Sequence, residues 1–289
     1  MNQAADFRSG KTHRDENFPV ASLLFRPEHR APIVCFYEFV RTADDISDHP
    51  TLSDDAKMSS LDRLEKSLLG KSDADAEGVA LRKVLSERGM PTRHAQDLLT
   101  AFRMDVTKRR YRDWDDLIHY CSFSAMPVGR YVLDVHGESR DTWPASDAIC
   151  AVLQIINHLQ DCQKDYRSLD RVYIPQDALA AAGTSVTALD ASKSSPELLA
   201  CLQGLARRTE TYLREGDPLP GLIKNTRAAL WVTIVQELAQ RLVKILQQRD
   251  PLSENVHFGK PAFAGVALIG LLKGGARRLS GRSTSLQGV

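Results

Sequence analysis

Residues 154–175 read Gln-Ile-Ile-Asn-His-Leu-Gln-Asp-Cys-Gln-Lys-Asp-Tyr-Arg-Ser-Leu-Asp-Arg-Val-Tyr-Ile-Pro, and this stretch decides the fold. Asn157, Asp161 and Asp165 recur at every fourth position, which predicts one polar stripe along a single helix. The residues before and between them are largely aliphatic, as in a buried helix. Because buried carboxylates are costly unless a cation compensates them, this helix is a candidate binding site.

Residues 154–175 form the second acidic stretch in chain order, and the first lies upstream, where Asp44 and Asp48 are also four positions apart. The chain enters it through residues 33–40, which are almost wholly apolar, and Pro27 and Pro32 predict a turn ahead of the helix. Acidic residues at this spacing are more typical of a solvated face. The apolar lead-in and the presence of two such helices favour instead an oxygen-rich site for a hard divalent cation, and Mg²⁺ suits it.

The composition excludes several classes of protein. The chain has 289 residues, of which 43% are hydrophobic and 26% charged, and its net charge is +1. A dominant basic field is missing, which argues against a nucleic-acid binder. Five cysteines without C-x-x-C spacing indicate reduced thiols in the cytosol. The polar first twenty residues lack a secretory signal, and the longest apolar run, 263–272, is too short to span a bilayer.

Helical periodicity runs through most of the chain, and no alternating strand pattern of useful length interrupts it. We therefore predict an all-α, single-domain helical bundle with a central cavity. Its predicted parts are a flexible arm at 1–16, the domain at 17–279 and a flexible tail at 280–289. Within the domain, residues 117–137 predict a long helix interrupted at Pro127.

Two features leave alternatives open. Lys108, Arg109 and Arg110 end a helical segment, where cations either complement the helix dipole or bind phosphate oxygens. His158 lies between the acidic residues but off their stripe, which is more typical of a structural histidine.

The residues in these motifs resemble a known family. Residues 41–48 (Arg-Thr-Ala-Asp-Asp-Ile-Ser-Asp) resemble the first aspartate-rich motif of the squalene/phytoene synthase family. The stretch from Asn157 to Asp165, followed by residues 171–175 (Arg-Val-Tyr-Ile-Pro), resembles the second. Shorter matches stand between them in the family's order: Met104-Asp105, Arg110-Tyr111, Tyr120-Cys121 and Val128-Gly129.

Within the family, three further stretches resemble the bacterial branch that forms hydroxysqualene for hopanoids. They are residues 16–22, 105–108 and 159–161. Where the wider family has a Ser-Phe-Ser type stretch and an arginine, this chain has Asn17-Phe18-Pro19 and Gln160. The resemblance therefore implies a diphosphate held differently from that in the condensing enzymes.

The resemblance also implies roles for individual residues. It makes four aspartates catalytic metal ligands, with an asparagine in support: Asp44, Asp48, Asp161 and Asp165, with Asn157. It assigns diphosphate binding to four cations: Arg41, Lys108, Arg110 and Arg171. It places Tyr120 in the cavity as a catalytic residue and puts four more residues beside the substrate: Asn17, Phe18, Gln160 and Tyr173.

The implied reaction is the Mg²⁺-dependent conversion of presqualene diphosphate into hydroxysqualene, with Mn²⁺ as a substitute metal and no nicotinamide. A condensing squalene or phytoene synthase is the alternative within the family, and a non-catalytic helical protein that binds prenyl lipids is the alternative from another class. The expected partner is the prenyl or presqualene diphosphate, with no nucleic acid. We expect a cytoplasmic protein; contact with the inner face of the membrane or with neighbouring pathway enzymes stays open.

Overall fold

The computed structural model describes the backbone of residues 24–285 and the side chains of residues 24–276. Within that part of the chain every regular element is helical, so the all-α prediction is confirmed. The helices are α1 (Pro27–Ser47), α2 (Asp54–Leu68), α3 (Ala76–Glu87), α4 (Arg93–Thr107), α5 (Trp114–Ser124), α6 (Met126–Val135), α7 (Trp143–Gln160), α8 (Cys162–Leu169), α9 (Gln176–Ala181), α10 (Pro196–Gly216), α11 (Leu219–Leu222), α12 (Thr226–Leu246) and α13 (Lys260–Ser285). One isolated parallel bridge joins Arg110 to Val172.

Helix α7 lies at the centre of the bundle, because it packs against α5, α6, α10 and α12. Helix α1 packs against α2, α3, α4 and α6. One continuous hydrophobic core links these helices, and a smaller cluster around Ile234, Leu238 and Val266 joins α12 to α13. Within residues 24–285, no helix combines the length and apolar character that crossing a membrane requires.

The predicted domain boundaries fall largely on residues that the structure does not describe. The arm at 1–16, together with Asn17 and Phe18, lies outside the described residues. Helix α13 extends to Ser285, so it includes part of the predicted tail at 280–289. The boundaries themselves stay predictions.

The predicted turn between Pro27 and Pro32 is wrong, because both prolines belong to α1. Pro27 lies in the first turn, where its missing N–H has no intrahelical partner to lose. Pro32 leaves the Glu28 carbonyl without its usual donor, and the Arg88 guanidinium donates to that carbonyl instead. The Tyr131 hydroxyl donates to the Pro32 carbonyl at 3.0 Å. Tertiary hydrogen bonds therefore stabilise a helix that two prolines would otherwise weaken.

The predicted long helix over 117–137 is two helices. Helix α5 ends at Ser124 and α6 begins at Met126, while Ala125 between them has φ −127° and ψ −45°. Pro127 falls in the first turn of α6, where a missing N–H costs nothing. The proline therefore starts a new helix rather than bending one that continues.

The second acidic stretch is likewise divided. Helix α7 ends at Gln160 and α8 begins at Cys162, with Asp161 between them at φ −100° and ψ 8°. The Asp161 N–H still bonds to the Asn157 carbonyl at 2.9 Å, and the Asp165 N–H bonds to the Asp161 carbonyl at 2.8 Å. The prediction of one uninterrupted helix is wrong, although the four-residue hydrogen-bond spacing continues across the break.

Two glycines of α10 give a matched test of the packing. A Cβ on Gly216 would lie 2.3 Å from Cδ1 of Ile149, whereas the nearest atom to a Cβ on Gly204 is 3.9 Å away. We expect Gly216→Ala to lower the free energy of unfolding by about 1–3 kcal/mol through overpacking. Gly204→Ala should raise it by about 0.5–1 kcal/mol, because alanine loses less backbone entropy in a helix. Urea denaturation measures both, and shifts of the same sign would contradict this account.

Candidate active site

A cavity of about 450 Å³ opens among α1, α4, α5, α6, α7, α8 and α12. Much of its wall is aliphatic or aromatic, with Phe36, Phe102 and Trp231 among the larger side chains. Its polar lining comes mainly from the regions that the sequence singled out. These polar residues are Arg41, Asp44, Asp48, Asp105, Tyr120, Ser124, Ser146, Gln154, Asn157, His158, Asp165, Arg171 and Tyr173.

Asp44 of α1 and Asp48, which directly follows this helix, are each paired with an arginine. Nη1 of Arg41 lies 2.6 Å from Oδ2 of Asp44, and its Nη2 lies 2.8 Å from Oδ1 of Asp45. Nη1 of Arg171, a residue that follows α8, lies 2.9 Å from Oδ1 of Asp48. The predicted metal ligands Asp44 and Asp48 thus form ion pairs with two of the predicted diphosphate-binding cations.

The cavity raises the pKa of the Asp44 and Asp165 carboxyl groups. Burial raises the pKa of Asp44 to about 7; the neighbouring Asp48 adds to the shift, and Arg41 opposes it. Burial also raises the pKa of Asp165 to about 7, and repulsion by Asp161 adds to it. Carboxylates in this cavity therefore gain from a cation that would neutralise them together.

Asp105 joins two tyrosines of the wall, a role that the sequence analysis did not assign. The Tyr120 hydroxyl donates to Oδ2 of Asp105 at 2.8 Å, and the Tyr173 hydroxyl donates to Oδ1 at 2.7 Å. Burial raises the pKa of Asp105 to about 6, while the charge of Arg171 and these hydrogen bonds oppose the shift. The only sequence signal for Asp105 was its match to the family's Met-Asp pair, and that match does not indicate which residues hydrogen-bond to it.

Replacing Tyr173 by Phe should lower the free energy of unfolding by about 1–3 kcal/mol, because it removes a buried donor to the Asp105 carboxylate. Tyr111 provides the matched control. It is fully buried and stacks on Tyr173, and its hydroxyl has no hydrogen-bond partner among the described residues. Tyr111→Phe should therefore be neutral or stabilising. Equal losses in the two variants, measured by chemical denaturation, would contradict a special role for the Asp105 hydrogen bond.

Two predicted diphosphate-binding cations are not among the residues of the cavity wall. Nζ of Lys108 lies 2.5 Å from Oδ1 of Asp116, and Nη2 of Arg110 lies 2.5 Å from Oδ1 of Asp170. Each is thus paired with an acidic side chain beside the cavity. Arg41 and Arg171 are the predicted cations that line it.

Two residues of the second acidic stretch also stand apart from the wall. Gln160 is buried, and its Nε2 donates to the Val256 carbonyl at 2.7 Å. Asp161 is half-buried at the break between α7 and α8 and acts electrostatically on Asp165. The residues of this stretch that line the cavity are Gln154, Asn157, His158, Asp165, Leu169, Arg171 and Tyr173.

The donors of the cavity fit a metal that is shared with a substrate. Among the residues whose side chains are described, no three acidic, histidine or cysteine groups could hold an ion by themselves. Asp44, Asp48, Asn157 and Asp165 nevertheless present oxygen ligands to one cavity. Mg²⁺ accepts such partial protein ligation, because it retains waters and also binds phosphate oxygens.

Comparison with known proteins identifies the family. The squalene/phytoene synthase family model matches residues 11–261. The chain belongs to the squalene/phytoene synthase family. This membership confirms the resemblance that the motifs carried, and members of this family of enzymes act on prenyl diphosphates.

Two relatives in the family are similar to this chain over nearly its whole length. The hydroxysqualene synthase of Rhodopseudomonas palustris is 61% identical over 94% of this chain and 93% of its own length. That of Sinorhizobium fredii is 52% identical over 98% of this chain and 97% of its own. Among solved structures, a squalene synthase from Alicyclobacillus acidocaldarius has a TM-score of 0.72 and 28% identity, covering 82% of this chain and 90% of its own.

Proposed function

We propose that this enzyme converts presqualene diphosphate and water into hydroxysqualene and diphosphate, with Mg²⁺ bound at its acidic residues. The observation that carries this proposal is the 61% identity, over almost the whole chain, with a protein named hydroxysqualene synthase. The cavity supports it, because one continuous wall combines oxygen ligands, arginines and a large apolar surface.

The polar side chains would bind the diphosphate end of the substrate. Asp44, Asp48 and Asp165, with Asn157 and Asp161 in support, would hold the metal. Bound Mg²⁺ supplies positive charge where the leaving diphosphate develops negative charge. The guanidinium groups of Arg41 and Arg171 would bind the oxygens of this diphosphate through charge-assisted hydrogen bonds. Lys108 and Arg110 would act on the diphosphate from outside the cavity wall.

The rest of the cavity would protect the cation formed when diphosphate leaves. Tyr120 and Tyr173 have ring centroids 5.3 Å apart, and Asp105 fixes both hydroxyl groups. The electron-rich faces of aromatic rings stabilise a nearby positive charge. The apolar wall excludes bulk water, so the cation would meet only the water that the protein admits.

The test is incubation of the purified protein with presqualene diphosphate, Mg²⁺ and heavy-oxygen water, with and without NADPH. The proposal predicts labelled hydroxysqualene and an equal amount of diphosphate under both conditions, and no turnover with a chelator. Squalene formed only with NADPH would move the enzyme to the reductive branch. Phytoene formed from geranylgeranyl diphosphate would move it to the condensing branch.

A further inference from the structure

His158 is a buried imidazole in the cavity wall whose hydrogen bonding is incomplete. Only 6% of the residue is exposed, and its Nε2 has no hydrogen-bond partner among the described residues. Its ring stacks on that of Tyr173 at a centroid distance of 3.6 Å and lies 5.8 Å from that of Tyr120. The sequence had favoured a structural histidine, but a structural role leaves a buried nitrogen without a partner.

The imidazole is suited to accept a hydrogen bond close to a carbocation. His158 lines the cavity, and one of its buried ring nitrogens has no hydrogen-bond partner among the described residues. A neutral imidazole always has one nitrogen that accepts. Rotating the ring by half a turn about its Cβ–Cγ bond keeps the stacking and exchanges ring nitrogens with carbons.

The neighbouring tyrosines limit what else could bind water here. The hydroxyl protons of Tyr120 and Tyr173 both go to Asp105, so these groups can only accept a further hydrogen bond. A water that donates one proton to His158 and another to a tyrosine oxygen would have its own lone pairs free. Buried polar groups without protein partners commonly hold such a water.

We infer that His158 holds the water molecule that captures the carbocation and thereby directs the reaction to an alcohol. This inference rests on the proposed function. Ionisation breaks the bond between carbon and the diphosphate oxygen, the cyclopropylcarbinyl cation rearranges with opening of its three-membered ring, and the water oxygen forms the new bond to the cationic carbon. The released diphosphate takes the proton that water loses. No electrons are transferred, so no reductant is required.

The test compares His158→Phe with His158→Gln in the full-length protein. Phenylalanine keeps a flat ring against Tyr173 but has no nitrogen, and glutamine keeps an acceptor without the ring. His119→Gln is the matched control, because His119 is an exposed histidine of α5 that does not line the cavity. The readout is the ratio of labelled alcohol to diphosphate released from presqualene diphosphate with Mg²⁺.

In His158→Phe this ratio should fall by about tenfold or more, with hydrocarbons formed by proton loss replacing the alcohol, while diphosphate release stays within about threefold of wild type. His158→Gln should recover part of the ratio, and His119→Gln should match wild type. An unchanged ratio in both His158 variants would overturn the inference, as would an equal loss of alcohol and diphosphate in both. If wild type itself made no alcohol, the proposed function would fail instead.

Discussion

Asp44→Asn is expected to lower turnover by about a hundredfold or more, because it removes a negatively charged ligand from the metal site while keeping the shape of the side chain. The same change should not destabilise the metal-free protein. Asp44 is half-buried close to Asp48 and has a raised pKa, so its ionised form is disfavoured in the folded state. Asp161→Asn should likewise abolish turnover without lowering the thermal stability.

The sign of the stability effect follows from the pKa of Asp44. The pKa of Asp44 rises from its ordinary value of 3.8 to about 7 in the folded protein. Between these values the folded state binds more protons than the unfolded state, so this group makes stability fall as pH rises. The loss is complete above about pH 7. Asparagine has no such dependence, so the melting temperature of the variant relative to wild type should rise between about pH 5 and about pH 8.

Diphosphate release and thermal melting, both measured with the exposed variant Asp190→Asn as control, check this prediction. Turnover near the wild-type rate in Asp44→Asn and Asp161→Asn would show that the metal site is assigned to the wrong residues. A metal-free Asp44→Asn protein that melts well below wild type at about pH 8 would show that the Arg41–Asp44 ion pair stabilises more than burial of the carboxylate costs.

Mg²⁺ and pyrophosphate are expected to bind cooperatively, each raising the affinity for the other by about ten- to a hundredfold. In the structure Asp44 is paired with Arg41, and Asp48 with Arg171. A metal ion alone must compete with both arginines, and pyrophosphate alone must compete with both aspartates. When the two bind together, the arginines can turn to phosphate oxygens and the aspartates to the metal, so each ligand removes a competitor of the other.

Isothermal titration of Mg²⁺ into the protein, with and without pyrophosphate, measures this coupling; a titration of Mg²⁺ into pyrophosphate alone is the blank. Arg171→Gln should bind Mg²⁺ alone more tightly than wild type, because Asp48 is released, and should lose much of the coupling. Arg167→Gln, which breaks an exposed ion pair, is the control. Equal Mg²⁺ affinity with and without pyrophosphate in wild type would refute the exchange of partners.

The sequence predicted the helical class and the position of both acidic stretches, because four-residue spacing and apolar flanks are local properties. Asp44 of α1, Asp48 directly after it and Asp165 of α8 line one cavity. The helix boundaries were less predictable, since they depend on distant groups. Pro32 stays helical only because Arg88 and Tyr131 contact carbonyls of α1.

The contacts of individual cations were beyond a sequence argument. Lys108 and Arg110 lie close in sequence to the cavity residue Asp105, yet each pairs with an acidic side chain outside the wall. Charge and spacing cannot distinguish a cation that faces a cavity from one that faces a neighbouring carboxylate. The link between Asp105 and Tyr173 has the same origin, because its partners are far apart in the chain and meet only in the folded protein.

The bridge between Arg110 and Val172 fixes the position of one segment of the cavity wall. The Val172 N–H bonds to the Arg109 carbonyl at 3.0 Å, so the segment after α8 is fastened to the loop after α4 by its backbone. Along such an extended segment alternate side chains share a side, which sends Arg171 and Tyr173 to the cavity and Val172 to the core. A residue inserted or deleted at 166–170 should therefore reshape the end of α8 and its C-cap while the backbone bond at Val172 keeps both cavity side chains in place.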